Sequence, residues 1–317
     1  MDPEKHLDEL IDIIDGAVNG LNNSMPTAQR RLVRELEMLL RDLDLIAGRI
    51  KPTAKNLRTI AQIKGKLESL VLSSAYEENV SKFLNAYTKV SDLHKSYFAS
   101  FEQNTRTKTI LSELKSQSIA ATANSLTRSG ISVNVIDPIQ DILRQNVTTG
   151  VPYNDMLSQL RVFIEGNDEY VGHLSKYVKQ ITTDALNQYS AQYMDIVSSD
   201  LNLQWYQYAG VRIDTSRPFC KAMVEKKFFH KSEIPELLKG NFPQFKAMGG
   251  EIYPKTGLPQ GMVPGTNPET FLIYRGGYNC MHQAVPVSED IVPRSERVRV
   301  YELNGIEYDK DGFAIAA

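Results

Sequence analysis

The chain has 317 residues, of which 42% are hydrophobic and 23% are charged, and its formal net charge is -2. This composition is typical of a globular protein that can bury one large core or two ordinary ones, and it gives no general argument for binding nucleic acid or an anionic membrane. No apolar run approaches the roughly 20 residues that a membrane-spanning helix needs. The two cysteines do not make a disulfide framework. Without a signal peptide, the chain is therefore expected to be made in a reducing cytosol.

The first hundred residues predict long amphipathic helices. One apolar stripe runs through residues 3–21, and a second runs from Leu32 to Ile50 with alternating spacings of four and three. Pro52 is expected to end that second helix, because the residue before a proline is pushed out of the helical region. Two further helices follow, and short polar connections favour antiparallel neighbours. Residues 1–104 therefore predict an antiparallel helical bundle, although the same seams could bind a partner's helices and give a helix-mediated oligomer.

The middle of the chain predicts more helices and then a change of structure. Residues 105–134 are rich in Ser, Ala and Thr and predict a helical connector. A long helix is expected from about Asp168 to Ser199, and the aromatic, partly alternating residues 201–208 predict a strand. The predicted fold class is mainly α, with a small α+β module in residues 135–288.

The last part of the chain predicts loops and short strands. Residues 240–270 are dense in Gly and Pro, so neither helix nor sheet is expected there. Residues 271–275 and 284–287 are short apolar strand candidates. Asn304-Gly305 lies between alternating runs, which predicts a C-terminal β-hairpin in the tail, residues 289–317.

Two stretches carry the residues with chemical potential. The stretch from Trp205 to Cys220 and the stretch from Gly276 to Val287 contain the only tryptophan and both cysteines. We expect them to fold against each other at the end of the long helix. This expectation is tested by the distance between Cys220 and Cys280 in the folded chain.

Four side chains of suitable type could form a structural zinc site, namely Cys220, His230, Cys280 and His282. The alternative is a pair of buried, reduced cysteines, because the separations along the chain do not match a zinc-knuckle turn. A disulfide would require the two strands to bring the cysteines side by side. His94 lies on a helical seam with no second ligand at helical spacing, so a role in packing is expected for it.

Asp214 and Arg217 are three residues apart in a turn that is followed by Pro218. One interpretation is a bidentate ion pair that fixes the turn to the strand carrying Trp205. The other interpretation is two solvated charges.

Combinations of catalytic residues can be assembled from the same side chains, but the spacing of these residues along the chain does not by itself indicate catalysis. A cysteine nucleophile could combine Cys220 or Cys280 with His282 or His230 and with Asp214. A histidine-metal nuclease could use Asn279, His282 and His230, but the usual paired histidines are missing. The chain contains no phosphate-binding Walker loop, no dinucleotide-binding glycine motif and no HExxH sequence.

With these residues in view, the C-terminal half resembles the phage Mu F-like minor head protein family, also called the SPP-type head morphogenesis family. The resemblance covers residues 135–288 and rests on features that occur in the family's order: Gly150 to Leu157, Ile181 to Asp184, Trp205, Asp214 to Cys220, and Gly277 to His282 before the apolar strand. The helical region before this match and the tail after it lie outside the resemblance.

The resemblance implies a structural protein of the virion that is present in few copies. It would be made in the host cytoplasm and would associate with the portal protein, the major capsid protein or both, inside the head. There it would assist head assembly, and it could contact the packaged DNA or be ejected with it. Catalysis is not expected, because the tail after residue 288 is too short for an enzyme domain. The residues expected to hold the module together are Trp205, Asp214, Arg217, Cys220, Asn279, Cys280 and His282. The alternative function is a metal- or Cys-dependent nuclease or transferase.

Overall fold

The computed structural model describes residues 3–99 and 105–315 and is mainly helical, with a few short antiparallel strands. The predicted fold class is therefore confirmed. The helices are α1 (Pro3–Asn22), α2 (Met25–Leu40), α3 (Ala54–Val71), α4 (Ser74–Leu84), α5 (Ala86–Tyr97), α6 (Thr105–Leu126), α7 (Arg128–Ile131), α8 (Asp137–Thr149), α9 (Tyr153–Glu165), α10 (His173–Asp200), α11 (Pro218–Lys226), α12 (Ile234–Leu238), α13 (Pro243–Ala247), α14 (Phe271–Tyr274) and α15 (Arg294–Asn304). The strands are β1 (Leu45–Ile46), β2 (Arg49–Ile50), β3 (Trp205–Ala209), β4 (Phe228–His230), β5 (Ile252–Tyr253), β6 (Leu258–Pro259) and β7 (Gln283–Val287).

The chain divides into two compact units. The first unit comprises the described residues of 1–14, 87–118 and 183–317, and the second comprises residues 15–86 and 119–182. These ranges differ from the predicted boundaries, since each unit combines segments that are distant along the chain. The predicted boundary near residue 104 lies outside the described residues. All the candidate site residues belong to the first unit.

In the second unit, the predicted long helix up to Ile50 is wrong. Helix α2 ends at Leu40, and β1 and β2 form a hairpin whose turn places Ala47 and Gly48 at positive φ. The buried Asn56 side chain stabilises this reversal, because it accepts from the backbone N–H of Asp44 and donates to two backbone carbonyls. Ile50 is still buried. The three-four apolar spacing therefore identified a core residue without identifying its backbone conformation.

In the first unit, a three-stranded antiparallel sheet has the order β4-β3-β7. Trp205 of β3 lies opposite His230 of β4 and Val287 of β7, and Tyr208 lies opposite Ala284. Successive side chains of a strand point to opposite faces. Tyr206 and Tyr208 accordingly join one apolar core and Trp205 joins another.

Three predictions for the last part of the chain are wrong. Residues 240–270 contain the short helix α13 and the β5–β6 hairpin, and residues 271–274 are helical. The predicted β-hairpin around Asn304-Gly305 is replaced by helix α15, and Gly305 ends this helix in the left-handed conformation with its N–H directed at the carbonyls of Tyr301 and Glu302. The only β pairing described in the tail is an isolated antiparallel bridge between Tyr308 and Ala314. Asn-Gly suits a hairpin turn and a helix C-cap equally well. The helix places Arg297, Val300 and Tyr301 on one buried face.

Candidate functional site

The two stretches that were expected to fold together do so. The β3–β7 pairing joins their strands over five residue pairs, from Trp205 with Val287 to Ala209 with Gln283. Helix α11 follows β3 and begins with Pro218, which favours the first turn of a helix, and it carries Cys220 toward the sheet. Cys280 and His282 lie in the turn that leads into β7. The expected proximity of the two cysteines is therefore confirmed.

The centre of the site consists of two sulfurs and one imidazole nitrogen. Cys220 Sγ lies 3.9 Å from Cys280 Sγ, and Cys280 Sγ lies 3.8 Å from His282 Nδ1. All three ligand-type atoms lie within 4.8 Å of one another. The exposed fractions of Cys220, Cys280 and His282 are 2%, 6% and 5%. We call these three residues the Cys-Cys-His centre.

Tyr208 and two glycines shape the space around this centre. The Tyr208 hydroxyl lies 3.8 Å from the Cys220 sulfur and 3.9 Å from the Cys280 sulfur, and its ring stacks on that of His282. A Cβ on Gly276 would overlap both sulfurs, and one on Gly210 would press on the His282 ring. Only glycine at position 276 leaves the two cysteine side chains free to meet.

Arg275 is a functional candidate that the sequence did not reveal. Its side chain is 2% exposed, and its guanidinium donates to the backbone carbonyls of Leu272 and Asn187. Its backbone φ is 41°, in the left-handed region that is uncommon for residues with a side chain. A buried cation normally has an anionic partner. The ionisable groups that favour its charge are Cys280, Tyr208 and Cys220, and none of them is a carboxylate.

The two cysteines differ in their tendency to ionise. A hydrogen bond from Cys220 holds the pKa of Cys280 well below its ordinary value, and His282 and the Arg275 charge act in the same direction, against the effect of burial. The same hydrogen bond, together with burial, raises the pKa of Cys220. The contact between the two sulfurs and the neighbouring charges therefore favour ionisation of Cys280 over that of Cys220.

An outer set of hydrogen bonds holds the turn that carries Cys280. Asp184 of α10 accepts the backbone N–H of Asn279 at 2.7 Å, and Asn279 has a φ of 55°. The Arg217 guanidinium donates to the carbonyls of Gly276 and Tyr278 at 2.8 and 2.7 Å. Two separate parts of the sequence, one in α10 and one before α11, therefore hold this short turn.

The predicted ion pair between Asp214 and Arg217 is not formed among the described residues. Arg217 uses both terminal nitrogens on the backbone of the second stretch, which is about sixty positions away along the chain. Asp214 is exposed, and its backbone carbonyl accepts from Lys221. Arg217 therefore does fix the turn, but it does so without Asp214, by hydrogen bonds that join the two stretches.

Of the four candidate zinc ligands, the structure brings Cys220, Cys280 and His282 together and places His230 outside this group. His230 contacts the Trp205 ring edge-on at 5.1 Å, and its Nδ1 lies 2.8 Å from the Ser232 hydroxyl. Trp205 donates its ring N–H to the Tyr301 hydroxyl at 2.9 Å. His230 thus packs against Trp205 and Tyr301 of the second apolar core. Only the Cys-Cys-His centre brings three metal-ligand side chains together in the part of the chain that is described.

A second buried histidine site lies elsewhere in the same unit. His94 is fully buried, and its Nδ1 lies 3.2 Å from His6 Nε2 while its Nε2 lies 3.1 Å from the Ser190 hydroxyl. His6 also stacks on Tyr97. The expected packing role of His94 is consistent with this environment, but its partner His6 was not predicted, since the two are 88 positions apart.

Comparison of the chain with protein-family models, with curated proteins and with solved structures gives no match in any of the three. Among the described residues, no helix combines the length and the apolar character that crossing a membrane requires.

Proposed function

We propose that this chain is a structural minor head protein of a tailed bacteriophage. It associates with the portal vertex or the inner capsid through the portal protein, the major capsid protein or both, and it assists head assembly and the packaging or ejection of DNA. It is made in the host cytoplasm and carried in the head.

The observation that carries this proposal is the convergence of the sequence features that resemble the minor head protein family. Asp184, Arg217, Cys220, Asn279 and Cys280 come from three separated segments, and their hydrogen bonds and sulfur contacts meet at one turn. A set of features that matched by chance would have no reason to meet in space. The convergence supports a shared module and favours a structural role for these residues.

Burial of the Cys-Cys-His centre also supports a structural role. Catalysis on nucleic acid or on a host protein requires access for a large substrate, yet each of the three side chains is at most 6% exposed. The cavities of 480 Å³ and 360 Å³ in the first unit are lined by other residues. The alternative function, a Cys- or metal-dependent enzyme, is favoured by one observation, the lowered pKa of Cys280 beside His282.

Protein analysis of purified heads tests the proposal. Heads of the phage or prophage that encodes the chain are purified with and without their DNA, and the chain is quantified against the portal and major capsid proteins. We expect a few copies per head and co-purification of the full chain with the portal ring or with capsid shells. Absence of the chain from both assembling and finished heads would refute a virion role.

A change of Cys280→Ala separates the structural role from the enzymatic one. If the residue is structural, the variant loses stability and incorporation into heads together. A variant that remains as stable as the parent and enters heads normally, but has lost a measurable activity on DNA or protein, would favour the enzyme. Arg212→Ala is a suitable control, since Arg212 is an exposed side chain in the loop between β3 and α11.

A further inference from the structure

The distances within the Cys-Cys-His centre match those of a zinc site. Zinc binds sulfur at about 2.3 Å and nitrogen at about 2.0–2.1 Å, so tetrahedral geometry separates two sulfurs by about 3.8 Å and a sulfur from a nitrogen by about 3.6 Å. The corresponding distances here are 3.9 Å between the sulfurs and 3.8 Å between Cys280 Sγ and His282 Nδ1. The remaining separation, between Cys220 and His282, is within 4.8 Å. Two of the three distances between ligand atoms therefore already match those of a tetrahedral zinc site.

The surrounding groups suit thiolate ligands. Thiolate is the form of cysteine that binds metals, and it is stabilised by nearby cations and hydrogen-bond donors. Arg275 is a buried cation that contacts no carboxylate among the described residues, and the Tyr208 hydroxyl approaches both sulfurs. Donors of this kind around the ligand atoms orient them and adjust their basicity. Gly276 is needed because any side chain there would displace the sulfurs.

The type of donor atom selects the class of ion. Two sulfurs and an imidazole nitrogen suit zinc, whereas calcium and magnesium prefer oxygen ligands. No fourth His, Cys, Asp or Glu ligand atom joins the group within the described ranges. The fourth coordination position would then be occupied by water.

We propose that Cys220, Cys280 and His282 bind one zinc ion per chain through their two sulfurs and the Nδ1 atom of the imidazole. The ion joins α11 to the turn before β7 and so fixes the two stretches on which the module depends. This inference rests on the geometry of the three residues and does not depend on the virion assignment. Both cysteines bind the ion as thiolates, so any proton that they still carry is released on binding.

Zinc content is the direct test. The full chain is produced with zinc in the medium and purified under reducing conditions without chelators, and zinc is measured by element-specific mass spectrometry. We expect about one zinc per chain. Cys220→Ser, Cys280→Ser and His282→Ala should each weaken binding by more than the roughly 10- to 100-fold that follows loss of a group outside the ligand set. His230→Ala is the matched control, because this buried histidine lies outside the centre.

A zinc-free parent protein, or loss of zinc from His230→Ala equal to that from His282→Ala, would overturn the proposal. Because the cysteine variants can fail to fold, Co²⁺ is also added to the zinc-depleted parent protein under reducing conditions. We expect the near-ultraviolet charge-transfer band of thiolate-bound cobalt and the visible bands of a four-coordinate ion, and zinc should displace both. Absence of these bands from a protein with a folded circular dichroism spectrum refutes the site.

A disulfide between Cys220 and Cys280 is the competing state of the same two sulfurs. Rapid alkylation of free thiols followed by intact-mass measurement distinguishes the two states. The proposal expects the metal-depleted, denatured chain to take up two alkyl groups. A chain that is two hydrogens lighter and takes up none, when isolated directly from a reducing cytoplasm, contradicts it.

Discussion

The buried histidine pair predicts that acid destabilises the first unit. Burial lowers the pKa of His6 from 6.5 to about 4, and burial together with the His6 charge lowers the pKa of His94 well below its ordinary value. The unfolded chain therefore binds protons near pH 6.5, whereas folded His6 binds one only near pH 4. Stability is fully present above about pH 7 and is lost as the pH falls through the interval between these two values.

The magnitude follows from the difference between the two values for His6. One pH unit corresponds to about 1.36 kcal/mol, so His6 alone removes about 2 kcal/mol between pH 7.5 and pH 5, and about 3 kcal/mol once the pH is well below 4. His94 contributes in the same direction. The described partners of His6 are His94 and Tyr97, neither of which carries a carboxylate that could stabilise an imidazolium.

Chemical denaturation at several pH values measures this effect. His6→Phe keeps an aromatic ring against Tyr97 and removes the titrating group, so we expect its loss of stability between about pH 7.5 and pH 5 to be smaller by about 2 kcal/mol. Tyr97→Phe is the control, because it removes the hydrogen bond to the Pro286 carbonyl without changing a titrating group in this range. If the parent and His6→Phe proteins lose stability equally on acidification, the argument from burial is wrong.

Three further changes test packing and the proposed centre. Gly276→Ala places a Cβ on both sulfurs and should destabilise by about 1–3 kcal/mol in thermal unfolding, whereas Gly65→Ala, in a helix with open space, should stabilise by about 0.5–1 kcal/mol; equal effects would contradict the steric account. Tyr301→Phe leaves the Trp205 ring N–H without its acceptor and should cost about 1–3 kcal/mol, with a change in the fluorescence of the only tryptophan; an unchanged spectrum and stability would refute that role. Tyr208→Phe should weaken zinc binding by about 10- to 100-fold at unchanged stoichiometry, as measured by chelator competition; unchanged affinity would remove the hydroxyl from the site.

Some features of the site could be predicted from local sequence. The aromatic run beginning at Trp205 and the apolar run ending at Val287 form strands, and these strands pair. Helix α11, which follows the first strand, then places the Cys220 sulfur beside that of Cys280. The burial of Arg275 could not be predicted from the sequence, because it depends on segments that come together only on folding. Arg217 was recognised as an anchor, but the nearby Asp214 suggested a partner that the fold does not use.

The sequence by itself determined the proportion of helix to strand and the side chains available for chemistry. It specifies long amphipathic helices, a few strands, and two cysteines with a histidine close in sequence to one of them. Apolar spacing indicates burial only in part, since Ile50 lies in the core in a strand rather than a helix, whereas Ile46 of the same apolar pattern is 63% exposed. The tertiary structure alone decided which ligands meet, because Cys220 lies in the apolar core around Tyr208, whereas His230 packs against Trp205 and Tyr301 of the other core. It also decided that Asn304-Gly305 caps a helix. In both cases the deciding free energy comes from burial against distant segments, which local preference does not contain.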